Sequence, residues 1–234
     1  MKIGILQTGH VPAELTERHG EYPAMFEAML AGNGFTFESW AVVDNDFPAS
    51  IHSADGWLIT GSRHGAYEDH PWIAPLEAFI RAAYAAEVPM AGICFGHQIM
   101  AQALGGKVVK YDGGWGVGNA PYRMPGGTLD LMALHQDQVI EKPADAEIIA
   151  TSDFCRNAGF AYPGRNGSRA ISFQPHPEFS REYMRDLIKA RIGTALPREQ
   201  AEAALESLEA DNDSGQIARQ IADFFRQAAQ SRAA

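Results

Sequence analysis

The stretch VPMAGICFGHQIMAQALGG, residues 88–106, decides the fold class. It opens with a short apolar run that is typical of a buried strand, and it continues beyond Cys94 with apolar residues at helical spacing. Gly92 and Gly96 flank the cysteine, and neither has a Cβ that would clash where a strand turns sharply into a helix. The stretch therefore predicts a strand that passes directly into a helix, with Cys94 at the corner.

Strand-like and helix-like segments alternate on both sides of this corner. Strands are predicted at residues 2–7, 35–43, 56–60, 90–94, 146–152 and 168–176, and helices at residues 22–34 and 75–87. Residues 105–134 are rich in glycine and short β-like runs, which indicate hairpins or an antiparallel extension. A helical C-terminal tail, about 185–234, carries Ile217, Ile221 and Phe224 on one stripe. This order is typical of an α/β fold with a mostly parallel sheet.

Composition limits the domain count and the class of partner. A chain of 234 residues with 46% hydrophobic residues can bury one large core, and no repeat or linker divides it, so a single domain over 1–234 is expected. Lys and Arg number 19 against 29 Asp and Glu, a net charge of −10 without a basic run. A nucleic-acid partner and an anionic membrane surface are therefore disfavoured, and a small-molecule substrate is expected.

The apolar segments are too short for membrane insertion. The opening MKIGILQTGH lacks a small-residue cleavage site, and no window approaches the roughly 18 apolar residues of a spanning helix. Cys94 and Cys155 do not form a disulfide framework. These features predict a cytoplasmic protein with two thiols, of which Cys155, with no glycine corner beside it, is expected to be structural.

Cys94 has two interpretations. A lone cysteine is usually a small buried hydrophobe. At this corner, however, the sulfur would be exposed above the sheet, and the free N–H groups and the dipole of the following helix would stabilise a thiolate, the reactive form. A cysteine nucleophile needs a base and a group that orients the base. ISFQPHPEFS, residues 171–180, supplies both, because His176 and Glu178 would emerge on the same side of an extended chain.

Two motifs together resemble one known family. GICFGHQ, residues 92–98, is similar to the G-x-C-x-G-x-Q elbow of the class I glutamine amidotransferases, and QPHPEF, residues 174–179, is similar to their H-P-E segment. The likeness runs from KIGILQ to about residue 183. It is strongest to stand-alone members related to γ-glutamyl peptidases, through residues 56–73 and LHQDQV at 134–139. The resemblance implies a flavodoxin-like sheet with helices on both faces.

The resemblance also implies the chemistry. Cys94 would attack the γ-amide carbon of glutamine or a γ-glutamyl compound, His176 would act as base and then as acid, and Glu178 would orient His176. Water would then hydrolyse the γ-glutamyl thioester. Backbone donors for the oxyanion are expected at Phe95, directly after the elbow, and in the turn at Gly61 and Ser62. Two glycines and a proline are commoner in the family at this turn, where this chain has Gly61, Ser62 and an arginine.

Four residues are expected to hold the substrate. Gln98 lies one helical turn beyond Cys94 and, by the resemblance, helps to bind the substrate. His135, Gln136 and Asp137 lie in a loop that the family uses for the α-amino and α-carboxylate end. A solvated surface role is the alternative for Gln98 and for Asp137.

No metal and no cofactor are expected. Cys94, His97, His135 and His176 would together make a reasonable zinc set, but no ligand pair such as C-x-x-C or H-x-x-x-H occurs, and zinc would occupy the nucleophile. No G-x-x-x-x-G-K-[ST] loop occurs either, so no nucleotide site is indicated. HGAYEDHPW, residues 64–72, is interpreted as loop surface beside the crevice.

Three functions follow as hypotheses. The first is a self-sufficient hydrolase of γ-glutamyl amides or peptides that uses Cys94, His176 and Glu178. The second is the glutaminase subunit of a two-chain amidotransferase, which delivers ammonia to a separate synthase subunit. The third is a non-catalytic binding or regulatory relative. Neither the leaving amine nor the oligomeric state is indicated by the sequence.

Overall fold

The computed structural model of the protein describes residues 1–165 and 167–233. Strands and helices alternate in the first part of the chain: β1 (Lys2–Leu6), α1 (Ala13–His19), α2 (Tyr22–Met29), β2 (Thr36–Trp40), β3 (Gly56–Ile59), α3 (Ile73–Ala85), β4 (Met90–Ile93) and α4 (Phe95–Ala103). A run of strands follows: β5 (Lys107–Lys110), β6 (Gly116–Met124), β7 (Gly127–His135), β8 (Asp137–Glu141), β9 (Glu147–Ala150), β10 (Gly159–Gly164) and β11 (Gly167–Phe173). The chain ends in α5 (Arg181–Arg191), α6 (Arg198–Ser207) and α7 (Ser214–Ala233).

The central sheet is mostly parallel and has the strand order β2-β1-β3-β4-β11-β10-β9. Strands β2, β1, β3, β4 and β11 run parallel, and β10 is antiparallel to both of its neighbours. The expected flavodoxin-like α/β fold is therefore confirmed. Because β3, β4 and β11 are adjacent, the residues that follow these three strands meet at one edge of the sheet.

Side chains of β3 alternate between two apolar layers. Trp57 and Ile59 pack with α3 and α4 on one face, whereas Leu58 packs on the other face with Phe26 of α2 and Phe225 of α7. Strands that are buried on both faces have continuous apolar sequences, which explains why GWLI is apolar throughout. A third apolar cluster joins α5 and α6 to the β6–β7 hairpin.

The C-terminal stripe packs on the chain's own sheet. Ile217, Ile221 and Phe225 of α7 are fully buried, and Phe224 is nearly so. They lie in the same apolar cluster as side chains of β1 and β4. No described helix combines the length and the apolar character that a bilayer crossing requires.

Several strands differ from the sequence prediction. The strand predicted at 35–43 ends at Trp40, and Val42–Asp44 forms a 3-10 turn. Strand β11 ends at Phe173 rather than continuing to residue 176. Strand β10 was not predicted, because its sequence GFAYPG contains two glycines and a proline, which disfavour strands. The antiparallel extension expected at 105–134 is present as the β6–β7 hairpin and the separate β5–β8 pair.

Candidate active site

Cys94 lies at the corner between β4 and α4 in a backbone conformation with φ 53° and ψ −103°. Positive φ is uncommon for a residue with a side chain and occurs where the surroundings enforce it. A Cβ on Gly96 would lie 2.2 Å from the carbonyl oxygen of Ile59, and one on Gly92 would lie 2.6 Å from that of Gly96. The two glycines therefore permit the close contacts that hold the corner, as the sequence predicted.

The sulfur is less accessible than the sequence suggested. An elbow thiol was expected to be exposed above the sheet, but Cys94 is only 5% exposed. It lines a cavity of about 170 Å³. Other residues predicted for oxyanion and substrate binding line the same cavity: Ser62, Gln98, His135, Gln136 and Asp137.

His176 and Glu178 make a short contact directly beyond β11. His176 Nδ1 lies 2.8 Å from Glu178 Oε1, and both residues are buried. The sequence predicts an extended chain here, but Pro177 and Glu178 form a turn, and this turn brings the carboxylate to Nδ1. Phe179 stacks on the His176 ring with 4.0 Å between centroids and 7° between planes, which fixes the orientation of the imidazole.

Cys94 and Glu178 control the charge of His176. Burial by itself lowers the pKa of His176, but the neighbouring Cys94 sulfur and Glu178 carboxylate raise it to about 10. Since Glu178 occupies Nδ1, Nε2 is the ring nitrogen available to the sulfur. A Cβ on Gly61 would lie 3.0 Å from His176 Cε1 and 3.7 Å from Cys94 Cβ, so this glycine adjoins both groups. Sulfur, imidazole and carboxylate thus come together at one edge of the sheet.

The turn at Gly61 and Ser62 is held by two buried threonines that the sequence analysis missed. Thr8 Oγ1 lies 3.0 Å from the carbonyl oxygen of Thr60 and 3.1 Å from that of Gly61. The sequence does contain a signal for these threonines, because a Thr-Gly pair follows each of two apolar strands, at residues 8–9 and 60–61. Across from this turn, Phe95 is the first residue of α4, so the helix itself does not bond its N–H.

Gln98 and Asp137, which both line the cavity, are linked by a hydrogen bond. Gln98 is 3% exposed, so a solvated surface role does not apply to it. Its Nε2 donates to the backbone oxygen of Asp137 at 3.0 Å and to Oε1 of Gln174 at 3.1 Å. The Asp137 carboxylate accepts from the Tyr67 hydroxyl at 3.2 Å, and partial burial raises the pKa of Asp137.

Comparison with known proteins places the chain in a family. Residues 27–191 match the model of the class I glutamine amidotransferases, which is more than half of the chain. The chain belongs to this family. Gamma-glutamyl peptidase 4 of Arabidopsis thaliana is 30% identical over 213 residues, which cover 82% of this chain and 83% of the peptidase. The resemblance inferred from the two motifs is thereby confirmed.

Two further similar proteins match different shares of this chain. The GMP synthase of Aromatoleum aromaticum is 32% identical over 153 residues, which cover 58% of this chain and 27% of the synthase. The crystal structure of a glutamine amidotransferase from Methylobacillus flagellatus covers 97% of this chain and 94% of its own, with a TM-score of 0.75 and 21% identity. At that identity the likeness establishes the fold.

Both ring nitrogens of His97 make hydrogen bonds in the protein interior. Its Nδ1 lies 2.8 Å from Ser172 Oγ and its Nε2 2.9 Å from the carbonyl oxygen of Asn157. Burial lowers the pKa of His97 to about 3, so the ring is neutral. Because both ring nitrogens are hydrogen-bonded, neither is available to a metal. His97 therefore does not belong to a zinc site with Cys94, His135 and His176. Cys155 is fully buried, and burial raises the pKa of its thiol to about 12.

Basic side chains also line the cavity. Arg63 follows the turn at Ser62, Lys110 ends β5 and Arg191 ends α5. Lys110 and Arg191 were not predicted, because they lie far apart in sequence and no local motif marks them. Together the three cations make this cavity suitable for a carboxylate.

Proposed function

We propose that the protein is a cysteine-dependent hydrolase of γ-glutamyl amides, with glutamine or a γ-glutamyl peptide as substrate. The proposal is carried by the buried 2.8 Å contact between His176 Nδ1 and Glu178 Oε1 beside the strained Cys94 corner. Membership of the class I glutamine amidotransferases supports it, as does the similarity to proteins named gamma-glutamyl peptidase.

In the first half of the reaction, the Cys94 thiolate attacks the γ-carbonyl carbon. A tetrahedral intermediate forms, and protonated His176 gives its proton to the leaving amine as the C–N bond breaks. The product on the enzyme is a γ-glutamyl thioester. In the second half, neutral His176 takes a proton from water, the hydroxide attacks the thioester carbon, and the C–S bond breaks to release the free acid and the thiolate.

The oxyanion of each intermediate would be stabilised by backbone donors. The Phe95 N–H at the start of α4 is one, and the turn at Gly61 and Ser62 supplies the other. Each such donor typically lowers the barrier by about 2.7–4 kcal/mol, so both matter to the rate. Glu178 acts through His176, which it holds in one tautomer.

The cavity would select the glutamyl end of the substrate. Its volume of about 170 Å³ is below the roughly 300–1,000 Å³ of pockets for drug-sized ligands. Asp137 would pair with the α-ammonium group, and Arg63, Lys110 and Arg191 with the α-carboxylate. The rest of the lining would include Gln98, His135 and Gln136. The buried Nε2 of His135 has no hydrogen-bond partner among the described residues, so it would be free to bind the substrate.

A substrate panel tests the proposal. The isolated protein is incubated with glutamine and with γ-glutamyl dipeptides, and ammonia or the released amino acid is measured. We expect turnover by the wild type and by Cys155→Ala, and none by Cys94→Ala. Full activity of the Cys94→Ala protein, or no turnover of any γ-glutamyl compound by the wild type, would contradict the proposal.

A glutaminase subunit is the second candidate, favoured by the match to part of a GMP synthase. Such a subunit would turn over glutamine slowly alone and faster when a separate synthase subunit is added. A fast, partner-independent reaction with γ-glutamyl dipeptides would exclude this candidate. A non-catalytic relative is disfavoured because each member of the proposed triad is present.

A further inference from the structure

Three potential metal ligands meet in the loop between β3 and α3, outside the proposed triad. His64, Glu68 and His70 each offer one ligand atom, and these atoms all lie within 4.8 Å of one another. His70 Nε2 lies 2.7 Å and His64 Nδ1 lies 3.4 Å from the same oxygen, Oε2 of Glu68. Tetrahedral Zn²⁺ with bonds of about 2.0–2.2 Å holds its ligand atoms about 3.3–3.5 Å apart. Small side-chain movements would therefore complete a site.

We propose that His64, Glu68 and His70 bind a divalent transition-metal ion, with Zn²⁺ preferred, at the rim of the cavity that Cys94 lines. Two imidazoles and one carboxylate suit Zn²⁺, whereas Mg²⁺ and Ca²⁺ prefer oxygen ligands alone. Three protein ligands leave a coordination position for water or an anionic ligand. The proposal is independent of the proposed hydrolase activity.

The loop that carries the ligands is anchored. The carbonyl oxygen of Ala66 accepts from Gln102 Nε2 at 2.7 Å, and the Ile73 N–H donates to the carbonyl oxygen of His70 at 3.0 Å. The His70 ring stacks on buried Trp72, with 10° between their planes. Because this backbone is already held, metal binding would cost little conformational entropy.

The ligands are accessible and chemically suited to a cation. Metal ions bind the neutral imidazole of a histidine and the ionised carboxylate of a glutamate. All three side chains are partly exposed, so an ion can reach them from solvent.

The site adjoins the substrate cavity. His64 and Glu68 line the same cavity as Cys94 and Asp137. Tyr67, next to Glu68 in the chain, donates its hydroxyl to the Asp137 carboxylate. An ion at this rim would place positive charge beside the entrance, within the loop that contacts a residue proposed to hold the substrate.

Metal binding is tested on a tag-free Cys94→Ala protein, in which the reactive thiol is not available as a ligand. Zn²⁺ binding is measured by titration calorimetry, and Co²⁺ binding by its visible absorption. We expect one ion per chain, the absorption of four-coordinate Co²⁺, and displacement of Co²⁺ by Zn²⁺ but not by Mg²⁺ or Ca²⁺.

The variants His64→Ala, Glu68→Gln and His70→Ala identify the ligands. Each is expected to weaken Zn²⁺ binding by about tenfold or more, and His52→Ala, which changes an exposed histidine outside the loop, is expected to leave the affinity unchanged. Circular dichroism without metal identifies any variant that fails to fold. The remaining variants then show whether these residues bind the metal. Absence of one-to-one binding, or affinity that the three changes leave intact, would overturn the proposal.

Discussion

The backbone of Cys94 determines where its side chain lies. A residue held at an unfavourable φ stores about 1–3 kcal/mol of strain, which the surrounding structure must offset. The N–H of Cys94 donates to the carbonyl oxygen of Phe173 at 2.8 Å, and its own carbonyl oxygen accepts from the Gln98 N–H at 3.1 Å. These bonds tie the backbone of the corner to β11 and to α4 before any substrate binds.

Replacing Glu178 by Gln tests the orienting role of the carboxylate. The amide cannot stabilise an imidazolium as the carboxylate does, so we expect kcat to fall by about 10²- to 10⁴-fold while the fold is retained. Steady-state kinetics with a chromogenic γ-glutamyl substrate measure the change, with exposed Glu141→Gln as the matched control. Unimpaired turnover would mean that another group holds His176.

Replacing Gly61 by Ala tests the close packing around His176, the proposed base. The new methyl group would lie 3.0 Å from His176 Cε1 and should displace the ring. Misplacement of this kind lowers kcat by about 10- to 100-fold. Gly215→Ala is the control, since its Cβ would lie 3.6 Å from the nearest atom, an ordinary contact. Equal activity of the two variants would contradict the packing argument.

Local sequence predicted some residues of the site and not others. Cys94 was placed at a strand–helix corner because glycines at fixed spacing mark such a turn, and His176 and Glu178 were paired because they are two residues apart. Lys110 and Arg191 were missed, since only tertiary packing brings the end of β5 and the end of α5 to one cavity. The convergence of His64 with His70 was missed because their spacing matches no common ligand pair.

Helix α4 is buried along most of its length. Its residues from Phe95 to Ala101 are buried, and His97 connects it to Ser172 of β11 and to the loop at Asn157. A neutral histidine with both nitrogens engaged stabilises the fold only while it remains unprotonated. The helix that follows the proposed nucleophile is thus secured by a group that is sensitive to acid.

Acid should destabilise the protein through His97. The pKa of this ring is about 3 in the folded state, compared with about 6.5 for an unperturbed histidine. The unfolded chain therefore binds more protons below pH 6.5, so the stabilisation is complete above that pH and is lost as the pH falls, by up to about 1.4 kcal/mol per pH unit.

Urea unfolding between pH 7 and pH 5 measures this dependence. We expect His97→Asn to unfold with a smaller pH slope than the wild type, and His52→Asn, which changes an exposed histidine, to keep the wild-type slope. If the slope of His97→Asn equalled that of the wild type, the buried neutral ring would not be its source.

Strands and helices with a clear apolar periodicity were predicted well, and those with a weak periodicity were not. The strand before Cys94 and helix α3 follow from apolar spacing alone. Strand β10 owes its existence to pairing with β9 and β11 on either side, which compensates for Gly159, Pro163 and Gly164. Its pairing with β11 shifts register beside Pro163, where a proline cannot donate a ladder hydrogen bond.

At the scale of the whole molecule, sheet order assembles the proposed centre. Strands β3, β4 and β11 are neighbours in space, although more than 100 residues separate the first from the last in the chain. The turn at Gly61, the corner at Cys94 and the segment with His176 follow these strands in turn. The sequence predicted the parallel sheet but not this strand order, which depends on packing across the entire domain.

Replacing Ile221 by Ala tests whether α7 belongs to its own chain's core. Ile221 is fully buried against the sheet, so we expect a loss of about 2–5 kcal/mol in the free energy of unfolding. Exposed Gln220→Ala is the control on the same helix. Because the contact lies within one chain, the loss should not depend on protein concentration, and a concentration-dependent loss would contradict this assignment.

Trapping the acyl-enzyme tests the central claim most directly. The protein is mixed with a γ-glutamyl substrate, quenched in acid during turnover, and analysed by peptide mass spectrometry, with Cys94→Ala and Cys155→Ala in parallel. We expect a γ-glutamyl adduct on the Cys94 peptide of the wild type and of Cys155→Ala, and none on Cys94→Ala. An adduct on another residue, or turnover that persists in Cys94→Ala, would contradict it.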